Sequence, residues 1–299
     1  MSQDLDLDGL RHVATTVAYR MVGSRTEAED LAQEALVRVA MAAEQEELRS
    51  PEAFVTTVAT RLSIDHLRLA RVQREEYLGP WLPEPVSEAL EDGAEAAEVA
   101  DSLSFAMLSV LEALGPVERA AFLLREVFGY GYDEVAAVLD RSEPACRQIV
   151  ARARARVEAG RPRRTVARDE HRRVLERFLA AARQGDVDGL VAVLAADAVM
   201  VSDGGRATKA ARRPIQGRDR IVRFLRSIGP RALGPGRRVE IVDLNGEPGI
   251  LALVDDEVVL AGTVEVADGC VVAVRWVLNP DKLRWVHAPW VREEGRGSA

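Results

Sequence analysis

The stretch YDEVAAVLDRSEPACRQIVARARARV, residues 132–157, decides how the middle of this 299-residue chain folds. Apolar residues at helical spacing predict a short helix over 132–139, and the next three residues, Asp-Arg-Ser, supply a turn. Ser142 is a suitable N-cap, and the Glu-Pro pair after it suits the first turn of a second helix. The stretch therefore predicts a helix-turn-helix. The residues expected to face inward are Val135, Ala136 and Leu139 on the first helix, and Ala145, Ile149 and Ala153 on the second.

The second helix of this pair is strongly basic. Residues 145–164 contain seven arginines and a single acidic residue, Glu158, although the whole chain has a formal net charge of −8. Such a local positive patch is typical of nucleic-acid binding, in which arginine and glutamine reach base edges and phosphates in the major groove. A plain arginine-rich surface helix is the alternative, and the paired helix and capped turn disfavour it. The predicted DNA contacts are Pro144, Arg147, Gln148, Arg152 and Arg154.

Three more helices are predicted near the N-terminus. Residues 8–22 and 26–43 show apolar side chains at helical spacing, and residues 51–74 form a long helix that Ser50 caps and Pro51 starts. The C-terminal half of the long helix is strongly polar. The residues expected to face inward on it are Phe54, Val58, Leu62 and Leu69.

The pattern changes at about residue 168. A helix, a short helix and a strand are followed by another amphipathic helix and then by Val/Ile-rich runs. The dipeptides Asn245-Gly246, Asp255-Asp256 and Asp268-Gly269 separate these runs and favour tight hairpin turns. We therefore predict two all-α helical domains, the second with the helix-turn-helix, and a C-terminal α+β domain with a curved antiparallel sheet. The predicted boundaries are 1–76 and 102–160 for the helical domains, 77–101 and 161–167 for linkers, and 168–299 for the C-terminal domain.

The N-terminal half of the chain resembles a known family. The segments EAEDLAQEALVRVA (27–40) and SPEAFVTTVATRLSIDHLR (50–68) are similar to the core of extracytoplasmic-function (ECF) RNA polymerase sigma factors. The resemblance covers residues 10–75 and 100–157. It implies a promoter-specificity subunit that recruits core polymerase, opens the −10 element and reads the −35 element with the helix-turn-helix.

The resemblance also assigns residues to these steps. The helix matching Asp30–Val39 is expected to dock on the β′ clamp of the polymerase, and the helix matching 51–74 to capture the −10 strand. The expected polymerase contacts are Asp30, Leu31, Glu34, Leu36 and Val37. The expected −10 contacts are Arg61, Asp65, His66, Arg68, Arg71 and Arg74, with Pro144, Arg147, Gln148, Arg152 and Arg154 at the −35 element.

The C-terminal domain resembles the SnoaL-like cone. Two motifs, YLGPWLPEP (77–85) and NPDKL (279–283), and in part SDGGRATKAARRP (202–214), match the subgroup of ECF sigma factors that carries this domain as a fused regulator. The resemblance implies that the C-terminal domain controls the sigma factor by contacting the linker. The residues expected to form this contact are Trp81, Leu82, Pro83, Asp203, Gly204, Gly205, Asn279, Pro280, Asp281, Lys282 and Leu283.

Two alternatives of other classes stay open at this stage. One is a ligand-sensing DNA-binding regulator that works without core polymerase; the other is a SnoaL-like enzyme fused to a DNA-binding domain. Asp197 and Asp203 are the candidate acids for such an enzyme, but no acid–base pair has a supporting spacing, so we expect no catalysis.

The expected partners follow from this assignment. We expect core polymerase and promoter DNA as partners, leave open a small-molecule ligand in the C-terminal pocket, and predict no cofactor and no metal. The chain has no apolar run of membrane-helix length and no signal-peptide layout at its N-terminus, so we expect no membrane contact and a cytoplasmic location.

Overall fold

The computed structural model describes residues 5–45, 47–75, 77–87, 103–160 and 166–286. The chain divides into two compact units. The first contains residues 1–76 and 107–161, and the second contains residues 77–106 and 162–299. The linker residues that precede the helix-turn-helix region are thus grouped with the C-terminal part of the chain.

The helices and strands follow the order expected from the sequence. The helices of residues 5–160 are α1 (Leu7–Val22), α2 (Arg25–Gln45), α3 (Pro51–Glu75), α4 (Phe105–Leu111), α5 (Pro116–Phe122), α6 (Tyr132–Leu139) and α7 (Glu143–Gly160), with a π-helical turn at Leu123–Val127. The C-terminal elements are α8 (Arg168–Gln184), α9 (Val187–Val193), β1 (Leu194–Asp203), β2 (Ile215–Gln216), α10 (Arg218–Leu233), β3 (Arg238–Leu244), β4 (Glu247–Val254), β5 (Glu257–Ala267), β6 (Cys270–Val277) and α11 (Pro280–Leu283).

The first three helices form one core of small and branched side chains. Ala14, Ala35 and Ala59, one from each helix, have no exposed surface and allow close approach of the backbones. On α3 the prediction was wrong for Leu69, whose side chain is 75% exposed. The buried positions around it are Leu67 and Ala70, so the apolar face of α3 turns away from Leu69.

The helix-turn-helix is confirmed in outline. Asp140 ends α6 in the left-handed conformation, with φ of 51°, and the Ser142 carbonyl accepts the first hydrogen bond of α7, 3.0 Å from the Cys146 nitrogen. The inward face of α7 differs from the prediction, because Cys146, Val150 and Ala153 are buried. Ala145 and Ile149 are only partly buried, since the buried face lies one residue further along the helix than expected.

Two buried arginines form contacts between the first three helices and the helices that follow. Arg119 is 3% exposed and donates to the Met21 carbonyl (2.6 Å) and to the Glu112 carboxylate (2.6 Å). Arg20 lies 4.8 Å from the centre of the Phe128 ring, and burial lowers the pKa of Arg20 to about 10. These contacts make residues from both helical regions parts of one unit.

The C-terminal domain contains a six-stranded sheet in the order β2-β1-β6-β5-β4-β3. The meander from β3 to β6 is antiparallel as predicted, whereas β1 pairs with β6 in parallel, so the sheet is mixed. Asn245, Asp255 and Asp268 adopt positive φ at the three predicted turns. Non-glycine residues tolerate this conformation best when they are Asn or Asp, which explains the choice of turn residues.

Successive residues of the strands face two different cores. Ile250 and Ala252 of β4 belong to the core beneath α8 and α10, while Leu251 and Leu253 face the opposite side. We call this opposite side the outer face; it consists of residues Val242, Leu244, Leu251, Leu253, Ala261 and Val277. Leu82, Phe105 and Leu283 pack on the outer face, so segments from three separate parts of the chain cover it.

Candidate functional site

All five side chains predicted to read DNA from α7 are exposed. Arg147 lies 3.1 Å from the Glu143 carboxylate and 4.3 Å from the centre of the Tyr132 ring. Arg154 is held at 2.7 Å by Glu126, a pairing that raises its pKa. Of the three predicted arginines, Arg152 is the one that forms no ion pair with a residue that the structure describes.

The exposed side of α2 carries acidic and then apolar residues. Asp30, Glu34 and Val37 are exposed as predicted, and Val37 is 54% exposed. Met41, 57% exposed, continues the same side one turn further and was missed by sequence reasoning, although its spacing from Val37 points to it. Leu31 lies about 100° around the helix from Asp30 and is only 8% exposed, and its contact with the polymerase stays a prediction. Leu36 is partly buried.

The side chains predicted to contact the −10 strand are not all free. Arg61 donates to the carbonyls of Ala137 and Val138 at the end of α6, at 2.8 Å each. His66 is partly buried, with its Nε2 3.1 Å from the Glu27 carboxylate. These two residues therefore contact the protein itself in this structure.

Other predicted −10 contacts lie on the exposed side of α3. Asp65 and Arg68 form an exposed ion pair at 2.9 Å. Arg71 and Arg74 belong to α3, but their side chains lie outside the described residues.

The predicted regulatory residues converge on the carboxylate of Asp203. This residue ends β1 and is 1% exposed. Its carboxylate accepts hydrogen bonds from the Tyr77 hydroxyl, the Leu82 backbone N–H (2.8 Å), the Gly205 backbone N–H (3.1 Å) and Lys282 Nζ (2.8 Å). Two of these donors belong to the linker segment 77–87, so one buried carboxylate fixes the linker to the C-terminal domain.

The cation that neutralises Asp203 also contacts the linker. Lys282 donates a second hydrogen bond to the Leu82 carbonyl, and its Nζ lies 3.7 Å from the centre of the Trp81 ring, in cation–π geometry. Asn279 donates to the Tyr77 hydroxyl (3.0 Å), and its side-chain oxygen caps α11 by accepting from the Asp281 N–H. Burial, followed by the contact with Asp203, raises the pKa of Tyr77, which keeps the hydroxyl a donor.

The remaining predicted regulatory residues shape this site. Gly205 has φ of 55°, and a Cβ there would lie 2.8 Å from the Asn279 amide nitrogen; a Cβ on Gly204 would lie 2.4 Å from the Thr208 carbonyl oxygen. Leu82 is buried in the outer-face cluster, and Leu283 joins it there. Pro83 is buried, and Pro280 starts α11. We call the group formed by Tyr77, Trp81, Leu82, Asp203, Asn279 and Lys282 the linker site.

Three family models match the chain in the same order. Sigma-70 region 2 matches residues 10–72, sigma-70 region 4 matches residues 104–157, and a SnoaL-like domain matches residues 175–291. The ECF RNA polymerase sigma factor SigJ of Mycobacterium tuberculosis is 37% identical over 290 residues, which cover 93% of this chain and 92% of SigJ. The chain belongs to the ECF sigma factor family.

Further comparisons agree with this membership. The probable ECF sigma factor SigI of M. tuberculosis is 34% identical over 180 residues, covering 60% of this chain and 62% of SigI. The crystal structure of M. tuberculosis SigJ superposes with a TM-score of 0.72 at 34% identity, covering 92% of this chain and 96% of that chain. The predicted architecture of helical sigma domains and a fused C-terminal SnoaL-like domain is confirmed.

Sequence reasoning missed a second contact with the sheet, made by the residues at the start of α4 in this sigma factor. Phe105, 1% exposed, packs on the outer face, and its neighbour Ser104 hydrogen-bonds the carboxylate of Glu247 on β4. Burial raises the pKa of Glu247 to about 7; Glu265 also raises it, whereas Arg275 and Ser104 lower it. Glu247 follows a hairpin turn, where the sequence predicts an exposed carboxylate. Its partner is 143 positions away in the sequence, so no local pattern indicated the contact.

The interior between the helices and the sheet is filled by large side chains. Phe178, Met200 and Trp276 are fully buried there. His171, the one histidine described in this domain, lies 2.8 Å from the Val264 carbonyl oxygen, and burial lowers its pKa. Asp197 is exposed, and Asp203 is occupied by the linker. Neither candidate acid therefore faces a histidine in the described part of this domain.

The described residues contain no cluster of three or more His, Cys, Asp or Glu side chains suited to a metal ion. None of the helices in the described ranges is long and apolar enough to cross a membrane.

Proposed function

We propose that this sigma factor directs core RNA polymerase to its promoters from the cytoplasm and that its C-terminal domain controls this activity by holding the linker. The observation that carries the proposal is the capture of the linker by Asp203, whose carboxylate accepts hydrogen bonds from Tyr77 and Leu82. A buried carboxylate with several charge-assisted hydrogen bonds fixes its partners in one geometry. The linker joins the two sigma regions, so fixing it restricts the separations that they can adopt.

The contacts of Arg61 bear on how promoter opening begins. The guanidinium donates to two carbonyls at the end of α6. Capture of the −10 strand by the same side chain requires these hydrogen bonds to be exchanged for bonds to the strand. We therefore propose that the closed contact between α3 and α6 opens when promoter DNA binds.

We also propose that the C-terminal domain catalyses no reaction. His171 is engaged by a strand carbonyl, and the interior is occupied by Phe178, Met200 and Trp276. These contacts support a regulatory use of the SnoaL-like domain over an enzymatic one. Catalysis of RNA synthesis belongs to the polymerase.

The polymerase contact is tested by charging the exposed side of α2. We expect Val37→Glu combined with Met41→Glu to weaken binding of purified core polymerase by at least about tenfold, since buried apolar residues at an interface centre contribute about 2 kcal/mol or more. The measurement is a pull-down titration. Leu7→Glu, at an apolar residue of α1 that is 52% exposed, is the matched control and should bind normally. Failure of the wild-type chain to bind core polymerase would refute the proposed function.

The −35 contact is tested on α7. Arg152→Ala should weaken binding to the −35 sequence by about 1–3 kcal/mol if the guanidinium reads a base in bidentate fashion. Arg156 lies one turn closer to the C-terminal end of α7 and is paired with Glu118, so Arg156→Ala is a control of equal charge. Titrations against a promoter duplex selected from random DNA and against a scrambled duplex separate base reading from phosphate contact, since loss of a phosphate contact weakens binding to both alike. Unchanged affinity for both duplexes in the Arg147→Ala and Arg152→Ala variants would overturn this choice of recognition helix.

A further inference from the structure

A basic stripe runs along the solvent side of α10 in the C-terminal domain. It consists of Arg220, Arg223, Arg226 and Arg231, all of which are exposed. At 100° per residue these side chains fall on the side of the helix opposite the buried residues, such as Leu225 and Gly229. The stripe is about 16 Å long at a rise of 1.5 Å per residue. We call it the α10 stripe.

The α10 stripe is poor in neutralising acids. None of its four arginines forms an ion pair with the residues that the structure describes, and Asp219 is the one acidic residue of the helix. The recognition helix α7 differs, because Arg147, Arg154 and Arg156 are each paired with a glutamate. Of the two helices, α10 therefore has the larger group of arginines without an ion pair among the described residues. This helix belongs to the C-terminal domain, outside the residues that match the sigma-70 regions.

The chemistry of the α10 stripe indicates what occupies it. Protein–protein interfaces usually have an apolar centre, and none of the large exposed apolar side chains in the described residues belongs to α10. Guanidinium groups match phosphate oxygens in bidentate geometry, and closely spaced like charges gain most from a polyanion. We propose that the α10 stripe binds the phosphate backbone of duplex DNA. The C-terminal domain would thus contribute affinity without sequence information, beyond its control of the linker.

The experiment measures the salt dependence of DNA binding by the full-length chain. One variant carries Arg220→Gln, Arg223→Gln, Arg226→Gln and Arg231→Gln; the matched control carries Lys at the same positions and keeps the charge. Fluorescence anisotropy with a labelled promoter duplex and a scrambled duplex of equal length is recorded at KCl concentrations between about 50 and 300 mM. Each lost phosphate contact reduces the magnitude of the negative slope of log K against log[salt] by about 0.9. We therefore expect this magnitude to fall by about 3 to 4, and binding to be at least about tenfold weaker at low salt.

Both duplexes should weaken equally, and the Lys control should keep most of the slope. Equal slopes for the Gln variant and the wild type would overturn the proposal and leave an acidic protein surface as the occupant. A loss confined to the promoter duplex would also contradict it, because phosphates carry no sequence information. Core polymerase binding should be unchanged in the Gln variant. A failure of the wild-type chain to bind polymerase would therefore count against the proposed function and not against the α10 stripe.

Discussion

Replacing Lys282 by Met should destabilise the C-terminal domain by about 3–5 kcal/mol, because it leaves the buried carboxylate of Asp203 without its cation. The Asp203 side chain has no exposed surface, and the Lys282 side chain is 7% exposed. Removal of one partner from such a pair leaves an uncompensated buried charge, which costs more than the pair itself contributes. Trp81 reports on the change, since Lys282 lies against its ring. The measured quantity is the free energy of unfolding in urea, with tryptophan fluorescence as the signal.

A double-mutant cycle separates the ion pair from general packing. Asp203→Asn alone leaves the Lys282 ammonium buried, while the double variant with Lys282→Met removes both charges and should recover a large part of the loss. The control is Arg284→Met: Arg284 pairs with Asp281 in the same region, but both side chains are 70% or more exposed, so a change below about 1 kcal/mol is expected. If Lys282→Met unfolds no more easily than Arg284→Met, the linker site does not depend on its charge pair.

Much of this architecture could be predicted because it is encoded locally. The helix-turn-helix follows from helical spacing and one capped turn, and the hairpins follow from Asn and Asp at positive φ. The motif segments 77–85 and 279–283 were singled out by resemblance, and the structure brings them together around Asp203. Their shared partner sits at a strand end, a position that neither motif specifies by itself.

The parts that could not be predicted depend on contacts between distant residues. Parallel pairing of β1 with β6 joins Met200 to Val274 across an intervening helix and four strands, and no local pattern encodes it. The contact of Arg61 with α6 joins residues that are 77 positions apart in the sequence. Arg61 lies on the polar side of α3, and such a pattern predicts exposure to solvent and not a contact with another helix. Leu69 shows the converse error, since an apolar residue at nearly helical spacing was taken to be buried.

Stability of the C-terminal domain should fall as pH rises from about 5 to 8, and Glu247→Gln should remove this dependence. The folded-state pKa of Glu247, about 7, lies above its ordinary value of 4.5 because burial disfavours the carboxylate. Between these two values the folded state binds more protons than the unfolded state, so stability is lost as pH increases and stays at its lower level above the folded-state pKa. A shift of this size corresponds to about 3 kcal/mol at most, and the charges of Arg275 and Glu265 act in opposite directions on it.

The test compares urea unfolding of the wild type and Glu247→Gln at pH 5 and pH 8. The glutamine is neutral at both values and its amide oxygen still accepts from Ser104, so the variant should match the wild type at pH 5 and exceed it at pH 8. Glu257→Gln changes an exposed carboxylate at the start of β5 and should track the wild type at both values. If the free energies of unfolding of the wild type and Glu247→Gln differ by the same amount at pH 5 and pH 8, the carboxylate is ionised alike in the folded and unfolded states. That result would contradict the prediction. The expected result makes the burial of Glu247, which its hydrogen bond with Ser104 only partly offsets, the source of the pH dependence of the C-terminal domain's stability.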